Sequence, residues 1–419
     1  MVSISLVISC VIFLGIAARE WLPPAVRIWH IMGAGAVLLI ALGEISPKNA
    51  FKAIDWNVVA YLFGVFSIGS ALYDSGISHS IGERITRSAH PMRAFLFFIL
   101  LTAVCSIVLT NDAGAVIGTP IALMLARAMR WPPNAVLIAL CATVTVGSMV
   151  SPVGNPQNIL IATKGHFGNP IGTFFVWLIV PTVLSLAFVY FWTRRSILAG
   201  MDNDTPEVGD LPSPHENPRL WPPYLATGLL IVLIGADSVL EGMGSPYSVP
   251  FGVASLVACA PVYLFSNRRF QTFKEADWPT LAFFVAMFIV TGSLLASGSL
   301  QALLGSMQSR LGEPTVTAVI SFWASQLFSN VPVVEIYLKL LDKPEIPNLM
   351  MLAGISTLAG NLFIISAASN VIVVQQAEKF GHKPFTFWQF TAAVLPITIV
   401  SVALTYGWVT WLNSILGTG

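Results

Sequence analysis

Leu109-Thr110-Asn111-Asp112-Ala113-Gly114 lies inside a long apolar stretch, and Ser329-Asn330-Val331-Pro332 lies inside a matching stretch later in the chain. Each is followed, after one more apolar segment, by a small-residue run containing asparagine, Gly147 to Asn158 and then Gly360 to Asn370. In water these would be ordinary loops. Of the 419 residues, however, 55% are hydrophobic and only 10% charged, with a mean hydropathy of +0.77, which is the composition of a polytopic membrane protein. Lipid offers no hydrogen bonds, so a spanning segment must be an unbroken helix unless its free backbone groups are buried in protein or line a cavity. Polar turns at that depth mark a transport site.

The rest of the composition excludes other classes. A net charge of +1 gives nucleic acid no foothold. Cys10, Cys105, Cys141 and Cys259 are scattered in apolar segments with no metal-like spacing and read as small buried hydrophobes. No nucleophile–base pair or ligand cluster appears at membrane depth, so neither an enzyme nor a cofactor is expected. Met1 to Ala18 lacks a basic leader and a cleavage site and reads as the first transmembrane helix.

Uninterrupted apolar segments fall near 2–18, 27–43, 56–73, 169–192, 222–240, 248–265, 278–297 and 386–413. Segments 94–129 and 314–340 are broken by the Thr-Asn-Asp and Ser-Asn elements, and 133–163 and 348–378 by the glycine- and asparagine-bearing runs. Arg194 to Pro218, with four prolines and a cluster of acids, reads as a solvated linker. The chain on either side of it is internally similar. Asp55-Trp56 recurs as Asp277-Trp278 and Ser75-Gly76 as Ser297-Gly298, with Ala60/Ala282 and Phe66/Phe288 in the same register. A duplication follows, with a first repeat over 1–193, a linker over 194–220 and a second repeat over 221–419.

Charge sets the topology. If 94–129 and 314–340 are re-entrant hairpins and 133–163 and 348–378 are crossings broken in the middle, each repeat has five crossings and the two repeats are inverted. Fifteen of the 21 basic residues then share one face, against six (Lys48, Lys52, Lys164, Arg310, Lys339, Lys343) on the other. The positive-inside rule makes the richer face cytoplasmic and puts both termini outside, in a cell inner (plasma) membrane. The expected fold is an all-α polytopic membrane protein of two inverted-topology repeats, with about ten transmembrane helices, two of them broken, and two re-entrant hairpins.

The hairpin tips and helix gaps supply the chemistry. Half-helix N-termini favour anions or hydroxyl groups, and C-terminal carbonyls favour cations. Thr110, Asn111, Ser329 and Asn330 bring hydroxyls and amides to the tips, while Ser148, Asn155, Asn158, Asn361 and Asn370 do so at the gaps. Gly147, Gly154 and Gly360 allow tight turns there. We assign Asn111, Gly147, Ser148, Asn155, Asn158, Ser329, Asn330, Gly360, Asn361 and Asn370 to substrate and Asp112 with Thr110 to the coupling ion. Asp112 is the one carboxylate placed at these tips and gaps. It is a group that binds a cation or takes a proton, or else the cap of the second hairpin helix. Glu335 is close enough along its helix to approach the site, but is also spaced to pair with Lys339. Asp237 and Glu241 read as interfacial. Trp56 and Trp278 read as aromatic-belt residues.

On Thr110-Asn111-Asp112 with Thr119-Pro120, Ser151 to Asn158, Ser329-Asn330-Val331-Pro332 and Gly360-Asn361 with Asn370, the chain resembles the ion transporter superfamily of ArsB arsenite permeases, NhaD sodium/proton antiporters, citrate and dicarboxylate carriers and silicon efflux carriers. The resemblance spans nearly the whole chain. It implies two inverted repeats whose hairpin and broken-helix tips face a central site. Arsenite permeases share the Asn-Asp of the first hairpin, whereas the second tip here has Ser-Asn-Val-Pro in place of paired asparagines. With no Arg or Lys placed at the site, the expected cargo is a neutral hydroxylated metalloid, arsenite or antimonite, exported in exchange for protons through Asp112. The alternatives are a sodium-coupled anion or carboxylate carrier, or a sodium/proton antiporter, of the same superfamily, and, outside it, a channel or scaffold. A cytoplasmic ATPase subunit or a second copy of the chain is left open as a partner.

Overall fold

The computed structural model describes residues 3–17, 26–87, 90–165, 167–199, 220–242, 249–299, 310–328, 330–341 and 344–416. In chain order the helices are α1 (Ile4–Ala17), α2 (Ile28–Ala41), α3 (Pro47–Ala53), α4 (Trp56–Asp74), α5 (Ile77–Thr86), α6 (Pro91–Val108), α7 (Asn111–Met129), α8 (Pro133–Ser148), α9 (Pro156–Lys164), α10 (Pro170–Ala199), α11 (Trp221–Gly242), α12 (Phe251–Phe265), α13 (Arg269–Glu275), α14 (Trp278–Ala296), α15 (Pro314–Phe328), α16 (Asn330–Leu340), α17 (Ile346–Ala359), α18 (Ala368–Lys379) and α19 (Phe387–Leu416). Among the described residues the chain is helical apart from turns and loops, with a 3₁₀ turn at Ile364–Ser366.

Side chains are distributed as lipid requires. Large apolar groups such as Leu14, Val37, Trp323 and Trp388 are more than 60% exposed, while Thr110, Asn111, Asp112, Asn155, Asn158, Asn361 and Asn370 are buried. In water such an apolar exterior would be an aggregation surface; in a bilayer it is the solvated one.

The recurring dipeptides are helix starts and stops. Asp55 and Asp277 are N-caps, accepting the N–H of Val58 at 3.2 Å and of Thr280 at 3.1 Å. Twenty-one residues later Gly76 and Gly298 take positive φ (74° and 68°), and the preceding serines donate to Leu72 O and Leu294 O. Hence α4 and α14 have the same length and the same ends.

They are also related by inversion. Trp56, Val59, Ala60 and Phe63 of α4 line one open apolar pocket with Trp278, Leu281, Ala282 and Val285 of α14. These are the same four positions in each repeat, shifted by the register of Asp55-Trp56 and Asp277-Trp278. Such self-complementary contact is the signature of a two-fold axis. It brings Trp278 to 5.7 Å from Phe63, so both tryptophans, read from sequence as belt residues, face the junction between the repeats. Neighbouring packing repeats in the same way: α4 lies on α12 as α14 lies on α2, α7 on α18 as α16 on α9, and α8 on α10 as α17 on α19.

Segment limits agree with the sequence reading to within about three residues, with one exception. Helix α10 continues to Ala199, so Arg194 and Arg195, placed in the linker, are helical; residues 200–219 of that stretch lie outside the described residues. Long arginine stems can cover an apolar helix end while their heads reach water, which is why charge did not mark the stop. The short helices α3, α5 and α13 were not anticipated.

Close backbone approach fixes the α4–α12 contact. The position of a Cβ on Gly64 would lie 2.7 Å from the Ser255 backbone, while Asn57 Oδ1 accepts Gly252 N at 2.7 Å and Ser67 meets Tyr263 at 2.7 Å. A Gly64→Leu substitution is therefore expected to wedge these helices apart at a cost of about 1–3 kcal/mol. Gly228, which has open space around it, should tolerate alanine. Thermal unfolding of the two purified variants checks the contrast; equal midpoints would contradict it.

Candidate transport site

The first hairpin turns through Leu109 and Thr110. Thr110 is extended (φ −163°), and its Oγ1 accepts Ala113 N at 3.1 Å as the cap of α7. The next residue ties the tip to the broken crossing: Asn111 N donates to Gly154 O at 2.7 Å. The Asn111 amide reaches across to Ser369 Oγ, 3.4 Å away at the start of α18. From α4, the Tyr61 hydroxyl approaches both Leu109 O (3.5 Å) and Val153 O (3.4 Å). The hairpin thus ends where the neighbouring crossings are interrupted, which makes it re-entrant.

Each break is held by one asparagine. Asn158 Nδ2 donates to Ser148 O (3.3 Å), Met149 O (3.3 Å) and Ser151 O (2.9 Å), while Asn370 Nδ2 donates to Gly360 O (2.9 Å) and Phe363 O (3.4 Å). Ser148 and Gly360 stand at the same separation from their asparagines, as do Ser151 and Phe363, so the clasp is duplicated. A helix that stops leaves carbonyls without donors, and these amides supply them. The two breaks also touch. Asn155, which caps α9 by accepting Asn158 N at 2.9 Å, donates to Ser148 Oγ (3.0 Å) and to Thr357 Oγ1 (3.1 Å) of α17. Thr357 in turn donates to Asn158 Oδ1 at 3.5 Å.

The second tip closes the group. Asn330 begins α16, and its Nδ2 lies 2.9 Å from where a Cβ on Gly360 would stand, so Gly360 makes room for it. Nearby, Gln326 donates to Ala359 O (2.9 Å) and accepts from Ser366 (2.9 Å). The structure therefore brings together Thr110, Asn111, Asp112, Ser148, Asn155, Asn158, Asn330, Gly360, Asn361 and Asn370. The Cβ position of Gly147 faces Ala103, 3.0 Å away, so it serves the packing of α8 on α6. Ser329 lies outside the described residues. Tyr61, Thr357 and Gln326 were missed in sequence, because a single ordinary polar residue within an apolar helix carries no local signal of what it meets.

Hydrogen-bond accounting separates the polar groups into two kinds. The amides of Asn155 and Asn158 are used up by the protein itself. By contrast Asp112 Oδ1, Asn330 Oδ1, Asn370 Oδ1, Ser356 Oγ and both amide atoms of Asn361 are buried without a protein partner. Buried polar atoms normally find partners, so the orphans of Asn330, Asn361 and Asn370, which meet around Gly360, call for a ligand or ordered water. The set is dominated by acceptors, and among the described residues no Lys or Arg forms an ion pair or hydrogen bond with any of these side chains.

The other acids are accounted for. Glu335 is fully buried and pairs with Lys339 (2.8 Å), as its spacing implied, and also with Lys164 (2.5 Å) on α9. Asp237, read as interfacial, is buried and accepts Val249 N at 2.5 Å, tying the end of α11 to the entry of α12. The Glu241 side chain lies outside the described set.

Comparison with known proteins agrees with this architecture. A family model described as citrate transporter matches residues 10–343. The inner membrane protein YbiR of Escherichia coli is 26% identical over 385 residues, covering 88% of this chain and 93% of that protein. The silicon efflux transporter LSI3 of Oryza sativa subsp. japonica is 25% identical over 463 aligned residues, covering 91% and 92%. The YdaH transporter of Alcanivorax borkumensis, whose crystal structure is described as having an unusual topology, superimposes with a TM-score of 0.55 at 17% identity, over 99% of this chain and 98% of that one. Its likeness is one of fold. With most of its length matched by the family model, and with two tips and two breaks converging in an inverted-repeat helical fold, this chain belongs to the citrate transporter family of membrane carriers.

Proposed function

We propose that this carrier exports a small, uncharged, hydroxylated solute of the arsenite or antimonite type across the inner membrane, exchanging it for protons taken up through Asp112. The observation that carries this reading is the set of buried, cation-free acceptors at the tips and the second break. A di- or tricarboxylate is all acceptor and would meet oxygens with oxygens, with no Arg or Lys to offset its charge. Arsenite at neutral pH is As(OH)3, whose three hydroxyls donate to acceptors such as Asn330, Asn361 and Asn370 and accept from the Asn361 amide and Ser356. The name of the rice relative, a silicon efflux transporter, points the same way, toward an exported metalloid. Asp112, a buried carboxylate at the first tip, is the group whose protonation would alternate with solute. The excess of basic residues on one face supports a cytoplasmic assignment for that face, with both termini outside.

A second reading, a sodium-coupled carrier of citrate or another carboxylate, is favoured by the description of the matched family. The two differ in a single assay. Proteoliposomes should show saturable As(III) flux whose rate depends on the pH gradient and not on sodium, and Asp112→Asn should leave flux that no longer responds to pH. Absence of As(III) flux at any pH, with sodium-dependent citrate uptake instead, would falsify the proposal.

The two classes of asparagine should behave differently when truncated. Asn361→Ala should cut solute affinity about tenfold or more while leaving thermal stability near wild type, since its amide meets no protein group. Asn158→Ala strips donors from three carbonyls and should lower the unfolding midpoint, at about 1–3 kcal/mol. Paired flux and unfolding measurements check this; a stability loss in Asn361→Ala equal to that in Asn158→Ala would contradict it.

A further inference from the structure

The helices sort into two packed groups. Helices α1–α4 and α11–α14 pack among themselves, and α6–α10 and α15–α19 pack among themselves; the tips and breaks lie wholly in the second group. The border is thin, formed where α4 meets α7 and α9, α14 meets α16, α1 meets α15 and α10 meets α11, with α5 bridging. Among the described residues an ion pair between Lys164 and Asp55 sits on it.

Lys164, the last residue of α9, holds Glu335 Oε2 of α16 at 2.5 Å within its own group. Its ammonium also stands 3.9 Å from Asp55 Oδ2 on the other side of the border and 5.9 Å from the Phe288 ring centroid of α14. Glu335 is fully buried and takes a second ammonium, Lys339, at 2.8 Å. One carboxylate therefore serves two cations, and the surplus positive charge faces Asp55. Burial of Glu335 among these partners holds Lys164 in position, because withdrawing either lysine would weaken the pairing of a desolvated charge. Asp55 uses its other oxygen to cap α4, so the cap and the border contact are separable.

The inverted counterpart of this network does not exist. In the register of the helix breaks Lys164 corresponds to Gln376, and in the register of the hairpin tips Glu335 and Lys339 correspond to Val116 and Pro120. Asp277, the counterpart of Asp55, turns its second oxygen to Thr280 Oγ1 at 2.7 Å. In an inverted-repeat carrier the two facing states exchange the environments of the repeats. A charge pair at one end alone makes those states unequal.

We propose that Lys164 and Asp55 form an electrostatic catch between the site-bearing helices and α4, closed in the state described here and released when the carrier changes its facing. The proposal rests on the carrier reading above but not on the identity of the solute, and its test needs no solute.

Spin labels on Phe51 of α3 and Val176 of α10, both well exposed, report the distance between the two groups once Cys10, Cys105, Cys141 and Cys259 are replaced. In nanodiscs, Lys164→Gln and Asp55→Asn are expected to shift population from the main wild-type distance to a second one by about threefold or more, and Lys164→Arg to keep the wild-type distribution. Asn is as good an N-cap as Asp, so Asp55→Asn removes the charge without unwinding α4. Identical distance distributions in all four proteins would overturn the catch while leaving the transport reading intact.

Discussion

Everything at the centre of this molecule depends on two side-chain amides doing what water cannot do inside a bilayer. Where α8 and α17 stop, a run of carbonyls is left without helical donors at a depth where each unsatisfied group is expensive. Asn158 and Asn370 clasp those carbonyls from the start of the following half-helix, at matching positions in the two repeats. With the breaks satisfied, polar backbone and small residues persist at that level, and the hairpin tips have something to meet. Without the clasps the same breaks would leave those carbonyls unsatisfied at a depth where water is absent.

That division of labour makes the site chemically uneven. In the first repeat the gap amides are consumed in structure, with Asn155 spanning from its own Ser148 to Thr357 of the other repeat. In the second repeat Asn330, Asn361 and Asn370 keep acceptor atoms free of protein donors, and Asp112 adds one from the first tip. An uncharged solute that carries its own O–H donors satisfies such a surface without importing charge. The same unevenness appears at the border, where Lys164 and Glu335 occupy one end and Gln376 and Val116 the corresponding positions at the other.

Much of the fold was legible because its signals are local. Asp-Trp and Ser-Gly recur since a capped start and a left-handed stop are written in two residues each, and the polar tips stand out against apolar sequence. The inverted relation followed from five crossings per repeat, with charge choosing the face, and the pocket shared by equivalent positions of α4 and α14 shows them meeting in three dimensions. What sequence could not convey was pairing at a distance. Glu335 showed its helical partner Lys339 but not Lys164, and nothing near Tyr61 marks the two carbonyls that its hydroxyl approaches. Nor could it tell a structural asparagine from a free one. Asn158 and Asn361 look alike as residue types in small-residue runs and differ only in what surrounds their amides.

Whether the free acceptors receive a neutral hydroxylated solute can be read most directly from solute binding to the purified carrier. Binding to the folded state alone raises the unfolding midpoint in proportion to how far the solute exceeds its dissociation constant. Trivalent arsenic also binds thiols, so the cysteine-free protein is the one to use. Arsenite should raise the midpoint in a concentration-dependent way, citrate with or without sodium should leave it unchanged, and Asn361→Ala should raise the arsenite needed for the same shift by about tenfold or more. Stabilisation by citrate, with none by arsenite, would contradict the neutral-solute reading.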